Sequence, residues 1–182
     1  MNFSKAAVIG GGSFGTVVAN ILADNNIETW QWLRDSSVAD AINSQHLNPK
    51  YLPDTPLNPA LKATTDIDAA ISDADVIFVS VPSRYVREVV SSFADRLKPH
   101  QALVSTTKGI EPEHFLLMSQ VLEELCPDNP VGVLSGPNLA KEIARRELAA
   151  TVIASKHSDL RRMVQTGLSC SYFRVYASDT IA

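Results

Sequence analysis

The sequence has 182 residues, 45% hydrophobic and 20% charged, with 16 Lys and Arg against 20 Asp and Glu. That length suffices to bury a sizeable core, and the net charge of −4 argues against a protein that grips nucleic acid by neutralising phosphates. No apolar run approaches the roughly 20 residues of a membrane span, no secretory signal opens the chain, and Cys126 and Cys170 lack metal-ligand spacing; a cytoplasmic chain with neither a metal site nor a disulfide framework is expected.

Lys5–Ile9 reads as a buried strand running into Gly10-Gly11-Gly12. From Thr16 to Ala23, Val17, Val18, Ile21 and Leu22 recur at helical spacing, and Asp24-Asn25-Asn26 supplies the stop. Ile27–Leu33 is the second strand and Ser37–Ser44 a short helix; Pro49, Pro53, Pro56 and Pro59 make His46–Pro59 a loop. Asp75–Val81 is the cleanest strand, apolar on both faces, as in parallel sheets covered by helices on each side. Helices over Arg84–Leu97, Phe115–Leu125, Leu139–Arg146 and Asp159–Leu168 then alternate with strands at Ala102–Ser105, Val131–Leu134, Thr151–Ala154 and Tyr172–Tyr176. Alternating strands and helices predict an α/β fold, a doubly wound, mostly parallel sheet with helices on both faces.

Gly10-x-Gly12-x-x-Gly15 lies where the first strand hands over to the first helix. There the first glycine allows a tight turn, the second lets backbone approach a pyrophosphate, and the third lets helix and strand pack closely, while the helix start presents N–H groups and a positive dipole end. Glycines also serve ordinary turns; the strand–turn–helix–strand setting favours a dinucleotide site of the Rossmann type. The second strand ends Leu33-Arg34-Asp35. An acidic residue there suits a ribose 2′-hydroxyl and an arginine a 2′-phosphate, and Arg34 coming first favours NADP over NAD.

Ligands of open parallel sheets bind outside the carboxyl ends of the strands. Val81-Pro82-Ser83, Thr106-Thr107-Lys108-Gly109 and Ser135-Gly136-Pro137-Asn138 all follow strands on that edge. Singly, each reads as an ordinary turn or a solvated lysine; together with the glycine loop they indicate one site. His46, His100, His114 and His157 are scattered through loops and helix ends, are expected at the surface, and assemble no nucleophilic triad. Phe14 is placed over the pyrophosphate.

Val8-Ile-Gly-Gly-Gly-Ser-Phe-Gly-Thr16, Asn48-Pro-Lys-Tyr-Leu-Pro53, Val79-Ser-Val-Pro-Ser83, Thr107-Lys-Gly-Ile-Glu111 and Ser135-Gly-Pro-Asn-Leu-Ala-Lys-Glu142 follow one another along the chain. In order and spacing they resemble the NAD(P)-dependent sn-glycerol-3-phosphate dehydrogenases of bacterial type. The resemblance implies reversible reduction of dihydroxyacetone phosphate to sn-glycerol 3-phosphate, feeding glycerophospholipid synthesis. It also implies cofactor contacts at Gly10, Gly12, Ser13, Phe14, Gly15, Arg34, Lys108 and Ala140, and substrate contacts at Lys108, Gly136 and Asn138. Asn138 stands where the family usually has serine or threonine. Family members continue into a helical domain that carries the proton-transferring lysine, so residues 1–182 are expected to be the dinucleotide-binding domain, without the C-terminal helical domain, without a catalytic residue and without turnover of their own. Beyond the small-molecule substrate, the resemblance is compatible with a homodimer of the longer protein and implies no nucleic-acid partner. The other readings are a stand-alone dinucleotide-binding or sensing module, which has no use for Lys108 and Asn138 on the glycine-loop edge, and a 6-phosphogluconate or hydroxyacid-type dehydrogenase, against which the Asn48–Pro53 loop argues.

Overall fold

The computed structural model describes residues 3–181. Its strands are β1 (Lys5–Ile9), β2 (Glu28–Trp32), β3 (Lys62–Thr64), β4 (Val76–Val79), β5 (Ala102–Ser105), β6 (Val131–Ser135), β7 (Ala149–Ala154) and β8 (Phe173–Ser178). They form one eight-stranded sheet in the order β3-β2-β1-β4-β5-β6-β7-β8. Neighbours are parallel except β6 and β7, where Leu134 lies opposite Ile153 in an antiparallel ladder.

The helices are α1 (Ser13–Asp24), α2 (Ser36–Gln45), α3 (Ile67–Ile71), α4 (Ser83–Ser91), α5 (Met118–Leu125), α6 (Ala140–Ala144) and α7 (Ser158–Leu168). Side chains alternate across a strand, so each central strand feeds two cores. Ala6 and Val8 of β1, Val76 and Phe78 of β4, and Val104 of β5 pack with Val17, Val18, Ile21 and Leu22 of α1, Ile42 of α2, Ile143 of α6 and Val164 of α7. Ala7, Ile9, Ile77, Val79 and Leu103 point the other way, onto Ile71 of α3, Val86 and Val90 of α4, and Val121 and Leu122 of α5. The doubly apolar strands of the sequence are thus strands covered on both faces. Among the described residues no helix is long and apolar enough to cross a membrane.

Four local features depart from expectation. Strand β3 and helix α3 carry no periodic signal because they span three and five residues; Asp66 caps α3 by accepting from the N–H groups of Asp68 and Ala69 at 3.0 and 3.3 Å. The helix expected over Arg84–Leu97 stops at Ser91, and Ala94–Arg96 is a separate 3-10 turn. The break sends Phe93 fully into the core beside Val90. Helix α5 starts at Met118 rather than Phe115, which has φ +56° in a loop closed by the Glu111 N–H donating to the Leu116 carbonyl at 2.8 Å. Strand β8 runs to Ser178 rather than Tyr176, and at its end the Ser178 hydroxyl accepts from the Thr180 N–H at 3.2 Å; Met1, Asn2 and Ala182 lie outside the described residues.

Candidate functional site

Strand order reverses direction at β1, with β2 and β3 on one side and β4 and β5 on the other. The crevice between the carboxyl ends of β1 and β4 is where open sheets bind ligands, and Gly10–Gly15 fills its floor. Gly10 has φ +136° and donates its N–H to the Trp32 carbonyl at 2.9 Å. A Cβ on Gly10 would lie 2.4 Å from the Ser80 carbonyl oxygen, and one on Gly15 would lie 2.6 Å from the Gly10 carbonyl oxygen. A Cβ on Gly12 would meet nothing within 4 Å. Gly10 and Gly15 are therefore packing positions, whereas Gly12 faces open space at the start of α1, which has no side-chain cap and no acidic residue in its first turn.

Above the loop is a cleft of about 590 Å³ whose lining includes Gly10, Gly12, Phe14, Gly15, Arg34, Lys108, Asn138 and Ala140. An adjoining cavity of about 240 Å³ shares Phe14, Lys108 and Asn138 with it and adds Gly136. Eight of the sequence-derived positions thus converge on the first space and the ninth, Gly136, on its extension. Ser13 does not line the cleft: its hydroxyl donates to the Tyr51 carbonyl at 2.8 Å and ties α1 to the proline-rich loop. A side-chain contact from Ser13 to a ligand would have to break that bond.

Arg34 is exposed, its guanidinium 5.4 Å from the centroid of the Tyr85 ring. Asp35 is engaged on both oxygens. Its Oδ1 accepts from the N–H and hydroxyl of Ser37 at 3.2 and 2.7 Å, capping α2, and its Oδ2 accepts from Lys50 Nζ at 3.1 Å. The bonds from Ser37 and then Lys50 hold this carboxyl below its ordinary range. At the other end, Lys108 Nζ donates to the Gly136 carbonyl at 3.3 Å. Asn138 is 7% exposed, and its Oδ1 is buried with no partner among the described residues. An acceptor left unpaired on the wall of a cleft costs free energy that a donor on a ligand would recover.

Beneath the glycine loop lies a polar cluster that sequence reading missed. Gln31 Nε2 donates to the Gly10 carbonyl and Thr16 Oγ1 at 2.9 and 3.0 Å. Asn48 Nδ2 donates to the Gly11 carbonyl and Thr16 Oγ1 at 2.9 and 2.8 Å, while Asn48 Oδ1 accepts from the Tyr51 N–H at 3.1 Å. All three side chains are fully buried. The available signal was Gln31, a polar residue set between Trp30 and Trp32 in the second strand and fully buried there. The histidines stay out of the site: His100, His114 and His157 are exposed, while His46, expected at the surface, is half-buried where its left-handed backbone (φ +55°) ends α2.

Glu111 was missed as well. Its side chain is 5% exposed and receives Arg87 of α4 through Nε and through Nη2 at 3.3 Å, with His114 Nδ1 at 2.9 Å. Arg87 also reaches Glu124 of α5 at 2.9 Å, so the loop that carries Lys108 is anchored to two helices. The Arg87 guanidinium, helped by His114, holds the Glu111 carboxyl below its ordinary range. A carboxyl depressed in the folded state contributes stability that is present above its unfolded pKa and lost as pH falls through its folded one. Glu111→Gln is therefore expected to shrink the difference in urea-unfolding free energy between about pH 7 and about pH 4. An unchanged difference would mean that the pair adds nothing.

A family model described as NAD-dependent glycerol-3-phosphate dehydrogenase N-terminus matches residues 5–161. The chain is 50% identical over 173 residues to a glycerol-3-phosphate dehydrogenase [NAD(P)+] of Pseudomonas syringae, covering 95% of this chain and 50% of the relative. It is 48% identical over 177 residues to the enzyme of that name from Acinetobacter baylyi, covering 97% and 49%. The crystal structure of glycerol-3-phosphate dehydrogenase from Coxiella burnetii superposes with a TM-score of 0.91 at 29% identity, covering 97% of this chain and 54% of that one. The chain spans about half the length of the curated relatives it matches. With the family model covering most of the described residues, and its glycine loop and Lys108 edge assembled at one cleft, the chain belongs to the NAD-dependent glycerol-3-phosphate dehydrogenase family, matching its N-terminal part.

Proposed function

We propose that this chain binds NADP or NAD in the cleft above Gly12, as the cofactor-holding part of an enzyme that interconverts dihydroxyacetone phosphate and sn-glycerol 3-phosphate. The observation that carries the reading is the continuity of the two cavities through Lys108 and Asn138, which gives a long dinucleotide cleft a polar extension at one end. The cleft fits the cofactor: the open face of Gly12 leaves room for a pyrophosphate beside the uncapped start of α1, and the unpaired Asn138 Oδ1 offers an acceptor at the far end. When bound, the dinucleotide supplies a hydride at its nicotinamide ring, exchanged with the substrate carbonyl carbon.

The residues of this chain bind and orient. Gly10 and Gly15 hold the turn, Gly12 and the first-turn N–H groups of α1 receive the pyrophosphate, and Phe14 covers it. Ser13 acts through its backbone and its tie to Tyr51. Ala140 lines the cofactor side, and Arg34 receives the ribose end. Lys108, close to both cofactor and substrate, directs its ammonium to a substrate oxygen, with Gly136 and Asn138 completing that wall. Proton transfer is assigned to no residue of this chain.

The test is a titration of the purified chain with NADPH and NADH, followed through the fluorescence of Trp32, which lines the cleft. Both should bind. Arg34→Ala should weaken NADPH roughly 10- to 100-fold, the loss of a charged hydrogen bond of about 1.5–3 kcal/mol, with little effect on NADH. Failure of both cofactors to bind the parent chain would overturn the reading, and equal losses in the variant would refute the role of Arg34.

A further inference from the structure

The ribose end of the cleft carries a second cation, Lys50, from the loop between α2 and β3. Its backbone is held in place because the neighbouring Tyr51 donates its N–H to the buried Asn48 and accepts from Ser13 at its carbonyl. Its side chain is half-exposed, with Nζ 3.1 Å from Asp35 Oδ2 and 5.5 Å from the Tyr51 ring centroid. Lys50, Arg34 and Asp35 line the same cleft; the Asp35 carboxylate is committed to Ser37 and to Lys50, while the Arg34 guanidinium lies over the Tyr85 ring.

Assuming the dinucleotide reading above, we propose that Lys50 is a specificity-determining residue that selects the cofactor with a phosphate on its adenosine ribose. It acts in two ways. Paired to Asp35, it occupies the carboxylate oxygen that would otherwise accept a ribose 2′-hydroxyl, and it neutralises a charge that would repel a phosphate. Its ammonium, a strongly hydrated point charge on a flexible stem, is then shared between Asp35 and the incoming phosphate, while Arg34 supplies the planar fork. An exposed ion pair between a lysine and a carboxylate is worth little by itself, so redirecting the lysine toward a doubly charged phosphate carries little penalty.

The experiment is titration of the chain and its Lys50→Gln variant with NADPH and NADH, repeated with adenosine 2′,5′-bisphosphate and adenosine 5′-monophosphate to isolate the ribose end. Lys50→Gln should weaken NADPH and the bisphosphate roughly tenfold, leave NADH within about twofold or tighten it, and flatten the salt dependence of NADPH binding. Lys50→Arg should keep the preference for NADPH. Adding Asp35→Asn to Lys50→Gln should return part of the lost NADPH affinity by removing the exposed carboxylate, which a merely lost contact would not do. A variant that weakens both cofactors equally, or neither, overturns the role of Lys50 while the cleft remains a dinucleotide site. Binding of neither cofactor by the parent chain overturns the cleft reading itself.

Discussion

Gly12→Ala is expected to abolish dinucleotide binding without changing thermal stability, whereas Gly10→Ala should lower stability as well as binding. The two positions differ in what a methyl group meets. At Gly10 it would strike the Ser80 carbonyl at 2.4 Å, in a backbone conformation (φ +136°) that side chains rarely adopt. Ser80 follows β4 directly and donates its N–H to the Ile9 carbonyl at 2.8 Å, so it cannot retreat without breaking the ladder between the two central strands. Strain and overpacking of this kind cost about 2–4 kcal/mol, which for a chain of this size lowers Tm by roughly 5–15 °C. At Gly12 the methyl group meets open space and the backbone is ordinary extended chain, so stability should change by less than about 0.5 kcal/mol. Thermal melts and NADPH titrations of both variants separate the two effects. A Gly12→Ala chain that binds NADPH as the parent does would show that no ligand backbone approaches this turn.

Asn48→Ala should be the most damaging change outside the glycines. Its amide bridges the Gly11 carbonyl, the Thr16 hydroxyl and the Tyr51 N–H from a fully buried position. Truncation leaves buried groups on both the glycine turn and the proline-rich loop without partners, at a cost of about 2–4 kcal/mol. The loop bearing Lys50 and Tyr51 would then lose its seat, so affinity for NADPH and NADH should fall together. Lys50→Gln, by contrast, should shift one cofactor only. Retained stability in Asn48→Ala would show that the loop is held by Leu52 and Leu57, both buried in the same core, and not by the amide.

Elements with a strong local period were legible from the residues. The strands at β1, β4 and β5 are apolar on both faces and sit centrally in the sheet; α1 and α7 show the spacing of their buried stripes. The glycine turn was legible from its Gly-x-Gly-x-x-Gly spacing between a strand and a helix, although only Gly10 and Gly15 answer a steric demand and Gly12 faces open space. Elements too short for a period were not, as with β3 and α3. Nor was the direction of β7: it runs against β6 because the link through the short α6 returns the chain along the sheet, and the residues of a strand read the same in both directions.

Taken by itself, the sequence determined the doubly wound fold class, the glycine turn at Gly10–Gly15 between strand and helix, and the edge of the sheet on which Lys108, Gly136 and Asn138 would lie, because these follow from local periodicity and the chain order of strand ends. Only the tertiary structure decided what those groups face. It turned Ser13 onto Tyr51, buried Gln31, Thr16 and Asn48 as the support of the turn, and committed Asp35 to Ser37 and Lys50. Each of those partnerships joins residues whose spacing corresponds to no helical or strand repeat, apart from the local cap at Ser37. Folding brings them within hydrogen-bond reach, and burial away from water makes each partner matter.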